Sequence, residues 1–454
     1  MGKLFGTDGI RGVANRELTP ELAFKMGRIV AALLRDNYAG EADRSFFVVG
    51  RDTRISGTML ESSLVAGITS AGLGIHLLGV VPTPAVAYLT ASMGAVGGVM
   101  VSASHNPVAD NGIKFFDARG RKLDDRLEQQ AEDHYFQDNN NFPRPEGGLV
   151  GTAIPALDSV VRYANYLKTT TSHLEGLRVV LDCANGSLYH IAPQLYRELG
   201  AEVVAIASSP DGININQECG STNPGKLQQA VLDHRAQAGL AFDGDGDRLI
   251  AVDEQGQIMD GDAIMAVCAA HLKEQDRLKD DTLVATVMSN GGLDIVGEEY
   301  GFQVLRTKVG DRYVLEEMLR GGYILGGEQS GHIIFSDVLP TGDGLLTSLQ
   351  LLKVMQDKGQ ALSSLASILR RLPQKLVNCR VKTKEGWEEN QRIQEALQNA
   401  EEKLGTRGRV LVRASGTEPL IRIMVEGEDN ALLEELCQQL FDIVQQELGG
   451  PGAN

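Results

Sequence analysis

The stretch from Phe46 to Leu78 decides the architecture. Phe46-Phe47-Val48-Val49 is apolar, Gly50-Arg51-Asp52-Thr53-Arg54 is polar, Met59, Leu64 and Ile68 fall at helical spacing, and Ile75-His76-Leu77-Leu78 is apolar again. Short runs rich in aromatic and branched residues, bounded by glycine, read as buried strands. Strand, loop, helix and strand in that order imply a crossover between parallel strands. Upstream, Thr19-Pro20-Glu21 opens a helix with a cap, a proline in its first turn and an early acid. Leu22, Met26, Ile29, Val30 and Leu33 continue it.

The alternation recurs downstream. Gly97 to Met100 reads as a strand, and Gln137-Asp138-Asn139-Asn140-Asn141-Phe142-Pro143-Arg144-Pro145 as a boundary loop. A second α/β unit has a helix near Leu157 to Leu167, strands at Arg178–Asp182 and Gly239–Phe242, and a helix reaching Leu199. A third begins near Ile258, with strands at Leu283–Met288 and Tyr323–Leu325 and a helix at Leu345–Val354. From about Leu372 the pattern shifts to strands at Leu376–Lys382, Val410–Val412 and Leu420–Val425. Between and after them come a helix at Asn390–Leu404 and a final amphipathic helix, capped by Asn430 and ended by Gly449-Gly450-Pro451. The expected domains are 1–150, 151–255, 256–370 and 371–454. The fold class is therefore α/β: three successive α/β domains and a smaller C-terminal α+β domain.

Whole-chain properties narrow the function. At 454 residues the chain exceeds one core. It is 43% hydrophobic and 23% charged, with a net charge of −17. That balance argues against nucleic-acid or membrane-surface partners, so an anionic substrate needs locally placed Arg and Lys. Five scattered cysteines with no CxxC pair indicate neither a zinc site nor a disulfide framework, and they fit a reducing cytoplasm. The first residues lack the apolar core of a signal peptide, and no run approaches membrane-spanning length.

Four loops carry candidate chemistry. Ser102-Ala103-Ser104-His105-Asn106-Pro107 follows a strand and must turn at its proline, so it offers two serines as nucleophiles on a rigid scaffold. Asp243, Asp245 and Asp247 alternate with glycines directly after a strand. Three carboxylates that close repel one another unless a cation sits among them, and oxygen ligands suit a hard ion such as Mg²⁺. An EF-hand does not fit, because its twelfth position is Glu254 inside the next strand and turn. Glu328, Ser330 and His332 alternate along one loop: a carboxylate and a hydroxyl suit sugar hydroxyls, and a histidine suits proton transfer. Arg413-Ala414-Ser415-Gly416-Thr417 combines a guanidinium, two hydroxyls and free backbone N–H groups, a set that suits a phosphate.

These four loops, in this order, resemble the α-D-phosphohexomutase family along nearly the whole chain. The resemblance implies mixed sheets, four domains around one cleft, and one loop from each domain. It places a phosphoserine at Ser104, with Ser102 as scaffold, and a Mg²⁺ held by Asp243, Asp245, Asp247 and the Ser104 phosphate. It gives Arg11, Lys114, His105 and His332 roles in acid–base work or charge stabilisation, with the general base left open. Arg248, Glu328, Ser330, Arg413, Ser415, Gly416 and Thr417 are the implied substrate contacts. The implied reaction moves a phosphoryl group between two positions of a hexose through a sugar 1,6-bisphosphate, which also primes Ser104. The opening Phe5-Gly6-Thr7-Asp8-Gly9-Ile10-Arg11-Gly12 and Gln329 resemble the branch that interconverts glucosamine 6-phosphate and glucosamine 1-phosphate. Glu328 could pair with a 2-amine or accept from glucose or mannose hydroxyls, so spacing alone does not choose the sugar. A phosphatase using water as acceptor and a non-catalytic sugar-phosphate sensor are the alternatives from other classes. The expected partner is a small phosphosugar, with homodimerisation left open.

Overall fold

The computed structural model describes residues 4–6, 8–37, 45–137, 142–405, 408–414 and 419–449. The expected boundary loop at Gln137–Pro145 falls partly outside these residues, as do Thr7 and the helix-ending Gly450 and Pro451. The chain divides into two compact units, Met1–Thr286 with Leu305–Ile368, and Val287–Val304 with Leu369–Asn454.

In the first unit the chain begins β1 (Phe5–Gly6), β2 (Gly9–Val13), α1 (Pro20–Asn37), β3 (Phe46–Arg51), α2 (Gly57–Ser70) and β4 (Gly74–Val80). It continues α3 (Thr83–Ser92), β5 (Gly97–Val101), β6 (Asp110–Phe116), α4 (Asp125–Phe136) and β7 (Ala153–Pro155). Among the described residues these strands form a seven-stranded sheet in the order β1-β2-β6-β5-β3-β4-β7. β3 is parallel to both β4 and β5, as the strand–helix–strand reading requires. α1 and α2 pack closely, because a Cβ on Gly67 would lie 2.2 Å from the Phe24 carbonyl oxygen. Leu60 and Leu64 of α2 are fully buried, each contributing roughly 1.5–3 kcal/mol by removal from water.

Next come α5 (Ser159–Lys168), β8 (Arg178–Asp182), α6 (Ile191–Glu198), β9 (Glu202–Ile206), α7 (Gly225–His234), β10 (Ala238–Phe242), β11 (Leu249–Asp253) and β12 (Ile258–Met259), a sheet ordered β12-β11-β10-β8-β9. Then follow α8 (Gly261–Glu274), β13 (Thr282–Thr286), α9 (Gly292–Tyr300, in the second unit), β14 (Gln303–Thr307), α10 (Asp311–Gly321), β15 (Leu325–Gly327), β16 (Ile333–Phe335), α11 (Gly344–Lys358) and α12 (Leu362–Ala366). Their sheet order is β14-β13-β15-β16. The second unit adds β17 (Gln374–Arg380), α13 (Gln391–Leu404), β18 (Arg409–Ala414), β19 (Leu420–Glu426) and α14 (Asn430–Leu448), with an antiparallel sheet ordered β17-β19-β18.

Alternation alone implied parallel sheets, yet each sheet of the first unit is mixed. β5 is parallel to β3 and antiparallel to β6. β10 relates in the same way to β8 and β11, and β15 to β13 and β16. The three chemistry-bearing loops each follow a strand at this switch from parallel to antiparallel pairing. No short repeat is visible in the sequence, but the topology repeats. β6 escaped the sequence reading because Asp110, Asn111, Gly112 and Lys114 mask its buried character.

Three local readings are corrected. α14 is capped by Asp429, whose side chain accepts from the Ala431 and Leu432 N–H groups, so Asn430 is already inside the helix. The strand expected at Leu283–Met288 ends at Thr286, and that expected at Tyr323–Leu325 begins at Leu325. All five cysteines are buried and unpaired. Among the described residues no helix is long and apolar enough to cross a membrane.

Asp182 ends β8 and ties down the next turn, accepting from the Ala184 N–H at 2.9 Å and the Gly220 N–H at 2.8 Å. Burial outweighs these bonds and pushes its carboxyl up to about 6. The folded state therefore binds this proton more tightly than the unfolded chain, whose Asp titrates near 3.9. Its contribution to stability is present at acid pH and is lost as pH rises from about 4 to about 6. Urea unfolding across that range should show a shallower pH dependence for Asp182→Asn than for the wild type. Parallel curves would remove Asp182 as the titrating group.

Candidate active site

Ser104 occupies the turn after β5 and is 1% exposed. Its φ of 53° lies in the left-handed region, which a non-glycine residue adopts only under external constraint. Its Oγ donates to Asp243 Oδ2 at 2.5 Å and lies 3.2 Å from His105 Nδ1. Its N–H donates to Ser102 Oγ at 3.0 Å, and the Asn216 side chain donates to its carbonyl at 2.9 Å. Ser102 is buried, and its hydroxyl donates to Asp52 Oδ2 at 2.6 Å.

The aspartate loop spans the return from β10 to β11. A turn bond from the Gly246 N–H to the Asp243 carbonyl closes it, with Gly246 at a φ of 74°. Asp243, Asp245 and Asp247 are buried and offer oxygen atoms within 4.8 Å of one another. Asp243 Oδ1 accepts from the Arg248 N–H, and Asp245 Oδ2 accepts from Thr83 Oγ1 and from Lys114 Nζ. A Cβ on Gly244 would fall 2.5 Å from the Ser104 carbonyl oxygen, so glycine there permits the contact between the two loops.

Lys114, on β6, is 1% exposed, with Asp245 at 2.8 Å, Asp8 at 3.0 Å and Asp247 at 3.5 Å. Burial opposes its charge, but the carboxylates prevail and raise its pKa well above the usual lysine value. Asp8 also pairs with Arg11 and Lys122, and Lys122 reaches Asp311 at 2.5 Å. Burial, reinforced by repulsion from Asp247 and Asp245, raises Asp243 well above the carboxylate range. For Asp247 burial acts in the same sense, but Lys114 and His332 overcome it and hold the carboxyl well below that range. Burial, with Arg248 and Arg11 nearby, lowers His105 to about 4, so its ring is neutral at physiological pH.

The third loop joins β15 to β16 and rests on the second, because a Cβ on Gly331 would lie 2.1 Å from the Leu249 carbonyl oxygen. His332 is buried, with Nδ1 3.6 Å from Asp247 and Nε2 3.5 Å from Asp311. Nε2 accepts from the Gly342 N–H at 3.1 Å, which places the proton of the neutral ring on Nδ1, facing Asp247. Glu328 accepts from the Gly310 N–H at 3.0 Å and lies within electrostatic reach of Arg248. Ser330 is exposed.

The structure thus gathers Ser104, His105, Arg11, Lys114, Asp243, Asp245, Asp247, Arg248, Glu328 and His332 in one unit. Arg413 belongs to the other, where β18 sets it directly opposite Arg422 of β19. Facing guanidinium groups repel unless an anion lies between them. Ser415, Gly416 and Thr417 lie outside the described residues. Sequence reasoning missed Asp8, Asp52, Arg54, Thr83, Lys122, Asn216 and Asp311 as parts of the site. Their only signal was charge or polarity in loops next to strands, because their partners are 100 or more residues away in most cases.

Four sequence profiles of one family match the chain in order. They describe phosphoglucomutase/phosphomannomutase alpha/beta/alpha domain I over residues 2–142, domain II over 158–256, domain III over 260–372 and the C-terminal domain over 376–443. The phosphoglucosamine mutase of Symbiobacterium thermophilum is 54% identical over 449 residues, covering 99% of this chain and 100% of that protein. That of Brevibacillus brevis is 52% identical over 450 residues, with the same coverage. Among solved structures, a phosphoglucomutase/phosphomannomutase family protein from Burkholderia thailandensis matches with a TM-score of 0.83 at 25% identity, covering 100% of this chain and 99% of that one.

The aspartate cluster fits a hard divalent cation. Asp245 Oδ1 and Asp247 Oδ1 are buried with no hydrogen-bond partner, which is costly for a carboxylate unless a cation meets it. Asp245→Asn keeps an acceptor for Thr83 and Lys114 but removes one of three charges. Calorimetric titration should show Mg²⁺ binding at least about tenfold weaker than in the wild type. Unchanged affinity would exclude this cluster as the metal site.

Proposed function

The chain belongs to the phosphoglucomutase/phosphomannomutase family, and we propose that it is an isomerase interconverting glucosamine 6-phosphate and glucosamine 1-phosphate. One observation carries the reaction type: the Ser104 hydroxyl is held 2.5 Å from Asp243, at the edge of a buried three-carboxylate cluster. A strained, buried serine beside a candidate cation site suits a phosphoryl carrier. The amino sugar rests on the full-length likeness to phosphoglucosamine mutases. We further propose domains at 1–150, 151–255, 256–370 and 371–454, each supplying one functional loop.

In the first half-reaction a sugar hydroxyl attacks the phosphorus of phosphorylated Ser104. The new sugar O–P bond forms, the Ser104 Oγ–P bond breaks, and the hydroxyl proton passes to a base. The 1,6-bisphosphate then turns over, and its other phosphoryl returns to Ser104 with the reverse proton movement. Asp243, Asp245, Asp247 and the Ser104 phosphate would hold Mg²⁺, which when bound neutralises charge on the phosphoryl oxygens. Lys114, enclosed by three carboxylates, stabilises charge and is unsuited to act as a base. His105, 3.2 Å from the Ser104 hydroxyl, and His332 are the candidate proton carriers, and Arg11 supports the charge array through Asp8. Arg248, Glu328 and Ser330 read the sugar. Arg413, Ser415, Gly416 and Thr417 take the phosphate that is not being transferred. A cytoplasmic location fits five unpaired buried cysteines.

After priming with a 1,6-bisphosphate, kcat/KM should be highest for glucosamine 1-phosphate and much lower for glucose and mannose 1-phosphates, with isomerisation rather than release of inorganic phosphate. A preference for glucose or mannose would change the substrate and leave the mutase. Stoichiometric phosphate release would establish a phosphatase instead. Intact mass should show covalent phosphate on the wild type and none on Ser104→Ala.

A further inference from the structure

We propose that Arg54 is a positioning residue for the phosphoryl carrier, an inference that rests on the reading of Ser104 above. Arg54 lies in the loop after β3, and β3 runs beside β5 with Arg51 opposite Val101. Arg54 and Ser104 therefore stand at the same step beyond the last paired residues of neighbouring parallel strands. The Arg54 side chain is fully buried.

All five of its N–H donors are used. Nε donates to Asp52 Oδ2 at 2.9 Å. Nη1 donates to the carbonyls of Pro107 at 2.5 Å and Asp110 at 3.1 Å. Nη2 donates to the carbonyls of Ser104 at 3.0 Å and Asn106 at 2.7 Å. Four of the five acceptors are main-chain oxygens, three in the loop after β5 and one at Asp110, where β6 begins, so that loop is wound around a rigid planar template.

The same ion pair reaches Ser104 from its other side. Asp52 accepts from Ser102 Oγ at 2.6 Å, and Ser102 Oγ accepts from the Ser104 N–H at 3.0 Å. Both main-chain polar groups of Ser104 are thereby fixed by Asp52 and Arg54, one directly and one through Ser102. This accounts for a serine held at a φ of 53°. The charge of Arg54 is met by Asp52, itself fully buried, so the guanidinium is not aimed at substrate phosphate. Its effect is on direction. Ser104 must present its oxygen in line with phosphorus in both half-reactions, while the sugar is the part that turns over. A displacement of about 1 Å in such an arrangement costs on the order of 100-fold in rate.

The test uses the full-length enzyme carrying Arg54→Lys, Ser102→Ala or both, after priming with glucosamine 1,6-bisphosphate. Lysine keeps the charge opposite Asp52 but cannot bridge four carbonyls. Arg54→Lys should lower kcat by about 100-fold, and Ser102→Ala by roughly tenfold, with KM near the wild-type value. The double variant should lose less than the product of the two, because both act through Ser104. Phosphoserine occupancy at equilibrium, read by intact mass, should match the wild type. The proposal is overturned by a wild-type kcat in both variants, by a rise in KM at constant kcat, or by fully multiplicative losses. If Arg54→Lys does not fold, Ser102→Ala decides alone, and an unchanged kcat there overturns the proposal. Covalent phosphate retained by Ser104→Ala would instead remove the carrier reading beneath it.

Discussion

The ammonium group of Lys114 is the contact on which the rest of the site depends. It lies within 3.5 Å of carboxylates from two distant parts of the chain, Asp8 near the start and Asp245 and Asp247 in the hairpin after β10. These groups are mostly shielded from water, so each charge would be unstable alone and is tolerated only with the others present. The array extends from Asp8 to Lys122 and from Lys122 to Asp311. Residues 8 to 311 are in this way tied into one electrostatic object. Asp245 Oδ1 and Asp247 Oδ1 are buried without a hydrogen-bond donor, with Arg248 Nε 3.9 Å from the latter.

Backbone contact brings the loops close enough for this to happen. Ser104 meets Gly244, and Gly331 meets Leu249, each with less room than a Cβ would need. All three loops leave a parallel strand at the point where the chain returns antiparallel, each in its own sheet. The architecture thus presents one solution three times, with a serine, three aspartates and a glutamate–histidine pair on successive copies.

The proposed chemistry uses that arrangement in two ways. A buried charge array with little net freedom needs no rearrangement as phosphoryl charge develops, which is how preorganised sites lower barriers. A carrier serine held from both its N–H and its carbonyl keeps one direction while the sugar changes ends. The ion pair of Asp52 and Arg54 contributes to the second of these, and Lys114 with its carboxylates to the first.

Much of this was legible from residues alone. Apolar runs and helical stripes located most strands and helices, since side-chain period follows directly from backbone geometry. The clustering of Asp243, Asp245 and Asp247 was legible because glycines between them leave the loop free to curl. That Ser104 and His332 lie in loops of small polar residues after strands was also legible, while the choice between Ser102 and Ser104 came from the family resemblance alone. Other features arose only on folding. β6 hid behind its polar residues, because a buried lysine looks like a surface one until its carboxylates are in place. Asp429 rather than Asn430 caps α14, a choice set by one residue of helix phase. Arg54, Thr83, Lys122 and Asp311 gained meaning only from partners remote in sequence. Local patterning specifies elements and loop chemistry, but which charges are buried together depends on the chain path, and that path exists only in the tertiary structure.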